Sequence, residues 1–109
     1  MPEFVQVLTT VGNQDEARRI ADALIERRLA ACVHIVGPVE SFYRWQGKIE
    51  DANEAVMIVK TRMSLAEKVT AGVKSGHSYE TPAVLVLPIL GGSQPYIDWI
   101  LAETEKAER

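Results

Sequence analysis

Cysteine is almost missing from this chain of 109 residues. Cys32 stands alone, so no intrachain disulfide can form, and a reducing, cytoplasmic home is the simplest expectation. Aromatic residues are sparse, at 6%. An RNA-recognition sheet needs stacking rings on its central strands and a basic face. The run Ala55 to Thr61 has no ring, and the first strand-like run offers only Phe4, so that module is excluded. Clustered Lys and Arg are missing too. The net charge is −3 and the pI near 5.4, which argues against nucleic acid or a membrane surface as partner. No run approaches the ~20 apolar residues of a bilayer span. Met1 to Phe4 show neither the basic start nor the apolar stretch of a secretion signal. A Gly-rich phosphate loop, a nucleophile elbow and an H-E-x-x-H pair are all absent, and no residue is assigned a catalytic role.

What is present fits one domain over residues 1–109, large enough for a single core and helped by association with other copies. Phe4 to Val11 is a β-branched run and reads as a strand. Asn13 is placed to cap a helix, with Glu16 three residues on completing a capping-box pattern. Ala17, Ile20, Ala21 and Leu24 give that helix an apolar stripe, and Arg18, Arg19, Asp22 and Glu26 a wet one. Ala30 to Val36 reads as a strand ended by a break or bulge at Gly37-Pro38. The chain then resumes with Val39, Ser41, Tyr43 and Trp45 alternating against Glu40, Phe42, Arg44 and Gln46, the period of a strand. Gly47 and Lys48 mark a turn, and the polar stretch Glu50 to Glu54 leads into the strand Ala55 to Thr61. The result is a long hairpin.

Ser64 and Glu67 form S-x-x-E, a capping box that opens a second helix with Leu65, Val69 and Val73 along one side. Gly76 is placed to end it in the left-handed conformation. After the loop His77 to Pro82 comes the strand Ala83 to Leu87, with Pro88 expected on a sheet edge. Ser93 is a cap for a last helix with Pro95 in its first turn, and Tyr96, Ile97, Ile100 and Leu101 as its stripe. The tail after Glu103 is expected to fray. The order β-α-β-β-α-β plus a helix predicts an α+β, ferredoxin-like sandwich: an antiparallel sheet with two helices on one face.

Function does not follow from that architecture. Cys32 and His34, at i and i+2, share a strand face and stand close enough to interact. A Cys/His nucleophile pair is one reading of them, but nothing else in the sequence marks a substrate site.

Four stretches carry a resemblance. They are Glu16-Ala17-Arg18-Arg19-Ile20-Ala21 with Leu29-Ala30-Ala31-Cys32-Val33, the hairpin Ser41-Phe42-Tyr43-Arg44-Trp45-Gln46-Gly47-Lys48-Ile49, the strand end Lys60-Thr61-Arg62, and the loop His77-Ser78-Tyr79-Glu80-Thr81-Pro82. In order and spacing these resemble the divalent-cation-tolerance family, CutA, over nearly the whole chain. The resemblance implies a tight homotrimer, similar in outline to PII signalling proteins, whose long hairpin extends a neighbour's sheet. It implies a role in tolerance of divalent cations, copper especially, with no organic cofactor and no catalysis.

The metal candidates it marks are Cys32, His77 and Glu80. Thiolate and imidazole suit copper. The plainer alternatives are a small buried hydrophobe for Cys32 and a helix-ending side chain for His77. Tyr43, Trp45, Lys60 and Tyr79 are the residues it places along an inter-subunit cleft, with interface packing as the aromatics' plainer role. One departure stands out: Ala83 occupies a place where the family usually has glutamate, and Ser78 one where it usually has proline. The competing expectation is a PII-like signalling or scaffolding trimer that binds a small anionic or nucleotide-like ligand.

Overall fold

The structure, a computed structural model, describes residues 3–105. Strand β1 (Phe4–Val11) leads into helix α1 (Gln14–Glu26). Strands β2 (Cys32–Trp45) and β3 (Lys48–Arg62) form the hairpin. A 3₁₀ turn (Met63–Leu65) leads into α2 (Ala66–Gly76), followed by β4 (Val84–Ile89) and α3 (Gln94–Glu103). The sheet order is β2-β3-β1-β4 and every neighbouring pair is antiparallel. This is the expected α+β arrangement, with Pro88 on the edge strand β4, where a missing N–H can face outward.

Strand alternation sorts the sheet into two faces. Val5, Val7 and Val11 of β1 stand beside Thr61, Val59 and Ala55 of β3, and all are buried. Against them pack Ala17, Ile20 and Leu24 from α1 and Leu65, Val69 and Val73 from α2. Each large side chain enclosed here contributes about 1.5–3 kcal/mol of hydrophobic stabilisation. On the far face, α3 crosses only the end near Lys60 and Arg62. The Lys60 ammonium lies 5.4 Å from the centre of the Tyr96 ring, and Arg62 Nη2 donates to the Leu101 carbonyl at 2.7 Å. The rest of that face is open, with Val36, Leu85 and Leu87 at 50%, 61% and 40% exposure.

The break at Gly37-Pro38 is a bulge inside one continuous strand. Val36 pairs with Val56 and Val39 with Glu54, so two residues of β2 lie opposite one of β3. The extra residue reverses the parity of β2. Cys32, His34 and Val36 before the bulge therefore share the far face with Val39, Ser41, Tyr43 and Trp45 after it. The polar stretch Glu50 to Glu54 is also strand, paired residue for residue with β2. The hairpin closes through Gln46 and Gly47, both at positive φ (50° and 81°), between the paired Trp45 and Lys48. Two left-handed residues make the primed turn that suits strand twist, and glycine takes the second of them without steric cost.

Several local expectations need correction. Asn13 caps α1 as expected, accepting from the Glu16 N–H at 2.8 Å. Glu16 does not complete the box, because its side chain turns inward and is buried. Ser64 caps nothing: it lies inside the 3₁₀ turn, α2 starts at Ala66, and its cap position is Leu65, which makes no side-chain cap bond. Gly76 is not left-handed, since Gly47 is the glycine at positive φ. Its requirement is space, as a Cβ there would stand 2.8 Å from Ile20 Cγ1. Ser93 occupies the cap position of α3 without a side-chain bond. The tail does not fray at once. Thr104 is buried, Arg62 Nε donates to its hydroxyl at 2.9 Å, and Glu105 N–H bonds the Arg28 carbonyl at 2.8 Å. The remainder of the tail, 106–109, lies outside the described residues. No helix of the described residues is long and apolar enough to cross a membrane.

Candidate functional site

A cleft of about 600 Å³ opens under the base of the hairpin. The sequence candidates Tyr43, Trp45, Tyr79 and Glu80 all line it, together with Thr10 and Glu54. The bulge is what brings them together, because without the parity change Tyr43 and Trp45 would point away from the side on which Glu54 lies. Tyr79 reaches in from the loop after α2, and its hydroxyl donates to Glu54 Oε2 at 2.8 Å. Desolvation, followed by that bond and the Glu54 charge, pushes the Tyr79 phenol up to about 12. Tyr79 therefore keeps its proton at neutral pH and serves as a donor. Ala83 also lines the cleft and offers no ligand.

His77 stands behind this cleft. Its ring is fully buried. The Thr10 carbonyl can only accept, so His77 Nε2, 2.7 Å away, carries the hydrogen. Nδ1 accepts from the Tyr79 N–H at 3.1 Å, and Glu16 Oε2 lies 3.5 Å from it. Both nitrogens are engaged, so ligation by this imidazole requires the loop to release it. Glu16 also accepts from the Ser78 N–H at 3.2 Å. The arrangement holds the loop so that Tyr79 faces the cleft, with the two rings 4.7 Å apart.

Cys32 and Lys60 lie elsewhere. Cys32 pairs with Lys60 on the sheet, and Lys60 with Gln6, four residues along β1 from Thr10. At ~3.4 Å per residue that is roughly 14 Å along the strand from His77's anchor. Cys32 Sγ is 3.5 Å from His34 Nε2, as the i, i+2 spacing predicts, and Lys60 Nζ is 3.5 Å from the same nitrogen. Cys32 is half-buried and His34 exposed, both on the open side of the sheet, and an ammonium stands beside the imidazole nitrogen. Among the described residues no three His, Cys, Asp or Glu side chains converge as a metal group.

Glu16 and Glu54 were missed by sequence reasoning. The signal for Glu16 was its phase: it sits four residues before Ile20, on the apolar stripe of α1. Glu54 sits two residues before Val56, on the same strand face, where the polar stretch Glu50 to Glu54 masks it.

A family model, that of the CutA1 divalent ion tolerance protein, matches residues 5–103. The chain belongs to the CutA1 divalent ion tolerance family. A CutA protein of Arabidopsis thaliana, named chloroplastic, is 41% identical over 104 residues, which are 95% of this chain and 57% of that protein. The chain thus spans little more than half the length of this plant relative. The crystal structure of CutA1 from Oryza sativa superposes with a TM-score of 0.94 at 40% identity, covering 97% of each chain. The structure described as the periplasmic divalent cation tolerance protein CutA of Archaeoglobus fulgidus gives 0.91 at 44% identity, covering 94% of this chain and 99% of that one.

These relatives overturn the cytoplasmic expectation. CutA proteins named chloroplastic and periplasmic share this fold and much of this sequence. A lone cysteine forms no intrachain disulfide in any compartment, so its solitude carries no address. The CutA family is named for ion tolerance and not for a reaction.

Proposed function

We propose that this CutA-family chain works as a homotrimer in divalent-cation tolerance and takes up metal ions, copper among them, at or beside clefts between subunits. The observation that carries the reading is the Cys32–His34 pair, a thiol and an imidazole 3.5 Å apart on the open sheet face. Thiolate and imidazole together favour copper over hard cations. Two donors fall short of a full coordination sphere, and the open face is where another copy packs. Val36, Leu85 and Leu87 on that face, with Phe42 and Ile49 on the hairpin at 69% and 74% exposure, form apolar surface of the kind that marks self-association. Glu80 supplies an oxygen donor at the cleft, far along the sheet from Cys32, so a site using both draws them from different subunits. His77 supports the reading by holding the loop that carries Glu80.

The test is calorimetric titration of copper into the mass-verified oligomer, with Cys32→Ser, His77→Ala and Glu80→Gln alongside. Saturable binding that weakens at least tenfold in Cys32→Ser supports the thiol site. A drop confined to His77→Ala, with the fold intact by circular dichroism, moves the site to the loop. Absence of saturable binding in the wild type ends the copper reading.

A further inference from the structure

The thiol and imidazole on the open sheet face share their corner with a positive charge. Cys32 stands directly opposite Lys60, and His34 opposite Ile58, so strand alternation puts Cys32, His34 and Lys60 on one face. Lys60 Nζ lies 3.5 Å from His34 Nε2, the same nitrogen that Cys32 Sγ approaches at 3.5 Å. The ammonium also lies over the Tyr96 ring, 5.4 Å from its centre and within cation–π range. Tyr96 is itself stacked on Trp99, with ring centres 5.6 Å apart. Lys60 is half-buried, and its neighbour on β1 is the uncharged Gln6. No ion pair among the described residues neutralises it.

The separation of Sγ and Nε2, 3.5 Å, is less than the sum of a metal–sulfur and a metal–nitrogen bond, about 2.3 and 2.1 Å, so one ion can touch both atoms. An ion bonded to Nε2 then stands within about 6 Å of Lys60 Nζ. That is inside the Debye length of ~8 Å at physiological salt, so the ammonium is little screened from it. Coulomb repulsion is proportional to the charge of the ion, and a divalent ion meets twice the repulsion of a monovalent one. Thiolate and imidazole draw both Cu(I) and Zn(II), so softness of the donors does not separate the two. The ammonium does.

We infer that Lys60 sets the charge selectivity of the Cys32–His34 pair, favouring singly charged Cu(I) over doubly charged ions with the same ligand preference, Zn(II) above all. The inference rests on the thiol site proposed above and names the ion that site takes. Tyr96 is a positioning residue here, since its ring holds the ammonium beside the imidazole.

The probes are Cu(I) and Zn(II), each competed anaerobically between the intact oligomer and a chromophoric chelator. Lys60→Met keeps the length of the side chain and removes its charge. Zn(II) binding should strengthen at least tenfold in that variant, and Cu(I) binding by about the square root of the same factor, since the repulsion removed is half as large. Both gains should vanish when Cys32→Ser is added. Lys60→Arg keeps the charge and should keep the wild-type ratio of the two affinities. Equal gains for the two ions, no gain for Zn(II), or a ratio that shifts in Lys60→Arg as it does in Lys60→Met overturns the inference. In those cases the thiol site still stands if Cys32→Ser weakens Cu(I) binding. If Cys32→Ser leaves Cu(I) unchanged, the thiol site fails and the inference fails with it. Should Lys60→Met not fold by circular dichroism, Lys60→Gln makes the same comparison.

Discussion

The Tyr79 hydroxyl donates to Glu54 Oε2 at 2.8 Å, joining the loop after α2 to the base of the hairpin 25 residues earlier in sequence. Burial and the neighbouring carboxylate raise this phenol from 10 to about 12. The folded state therefore holds the Tyr79 proton longer than the unfolded chain does. The resulting stabilisation is complete below pH 10 and is lost as pH rises through about 12. Because Tyr79 is 38% exposed, water softens the slope. Urea unfolding of the wild type and Tyr79→Phe, followed from pH 8 upward, should show the two curves converging above pH 10. Parallel curves through that range would mean the bond does not form in solution.

Gly76 sits where α2 presses on α1. A methyl group there would lie 2.8 Å from Ile20 Cγ1 and 3.6 Å from Ile20 Cδ1. Ile20 is 3% exposed and part of the core, so it has little room to yield. Gly76→Ala gains helix propensity but overpacks this contact. The expected outcome is a net loss of about 1–3 kcal/mol in chemical denaturation. A stabilised variant would show that the two helices can slide apart cheaply.

Tyr43 and Trp45 face away from the helices and are only half covered within one chain. On the trimer reading a neighbour covers the rest. Trp45→Ala should then loosen the assembly by more than ~1–2 kcal/mol, the usual cost of removing an aromatic anchor from an interface. Native mass spectrometry on serial dilution, beside thermal unfolding, reads this directly. An undiminished oligomer after dilution and heating would place the interface elsewhere.

Most of the architecture was legible because strand and helix periods are local signals. Val5, Val7 and Val11 alternate, and Leu65, Val69 and Val73 recur at helical spacing, whatever surrounds them. The hairpin's bulge was legible from Gly37-Pro38. Its consequence was not, since parity is defined only against the partner strand: Val39 must be seen opposite Glu54 before Tyr43 can be placed on the same face as Glu54. The cap at Ser64 failed for a related reason. Leu65 is fully buried, and seating it there wound the preceding residues into a 3₁₀ turn, which overrides a weak local preference. The roles of Glu16 and His77 depend on a contact between α1 and a loop some 60 residues later, which no short-range pattern encodes.

Thr9 gives the most direct test of the packing on the helix side of the sheet. It is 1% exposed, it stands between Met57 and Val84 on the neighbouring strands, and its hydroxyl has no hydrogen-bond partner among the described residues. A buried hydroxyl without a partner costs about 1–3 kcal/mol of desolvation. Thr9→Val keeps the branched shape that suits a strand and replaces the oxygen with a methyl group. The expected change is a gain of about 1 kcal/mol in urea unfolding, with the spectra of the folded state unchanged. A loss of stability would mean that the hydroxyl has a partner in solution, most simply a buried water. In that case Thr9→Ser, which keeps the oxygen and removes only the methyl, should retain the bond and lose only the packing.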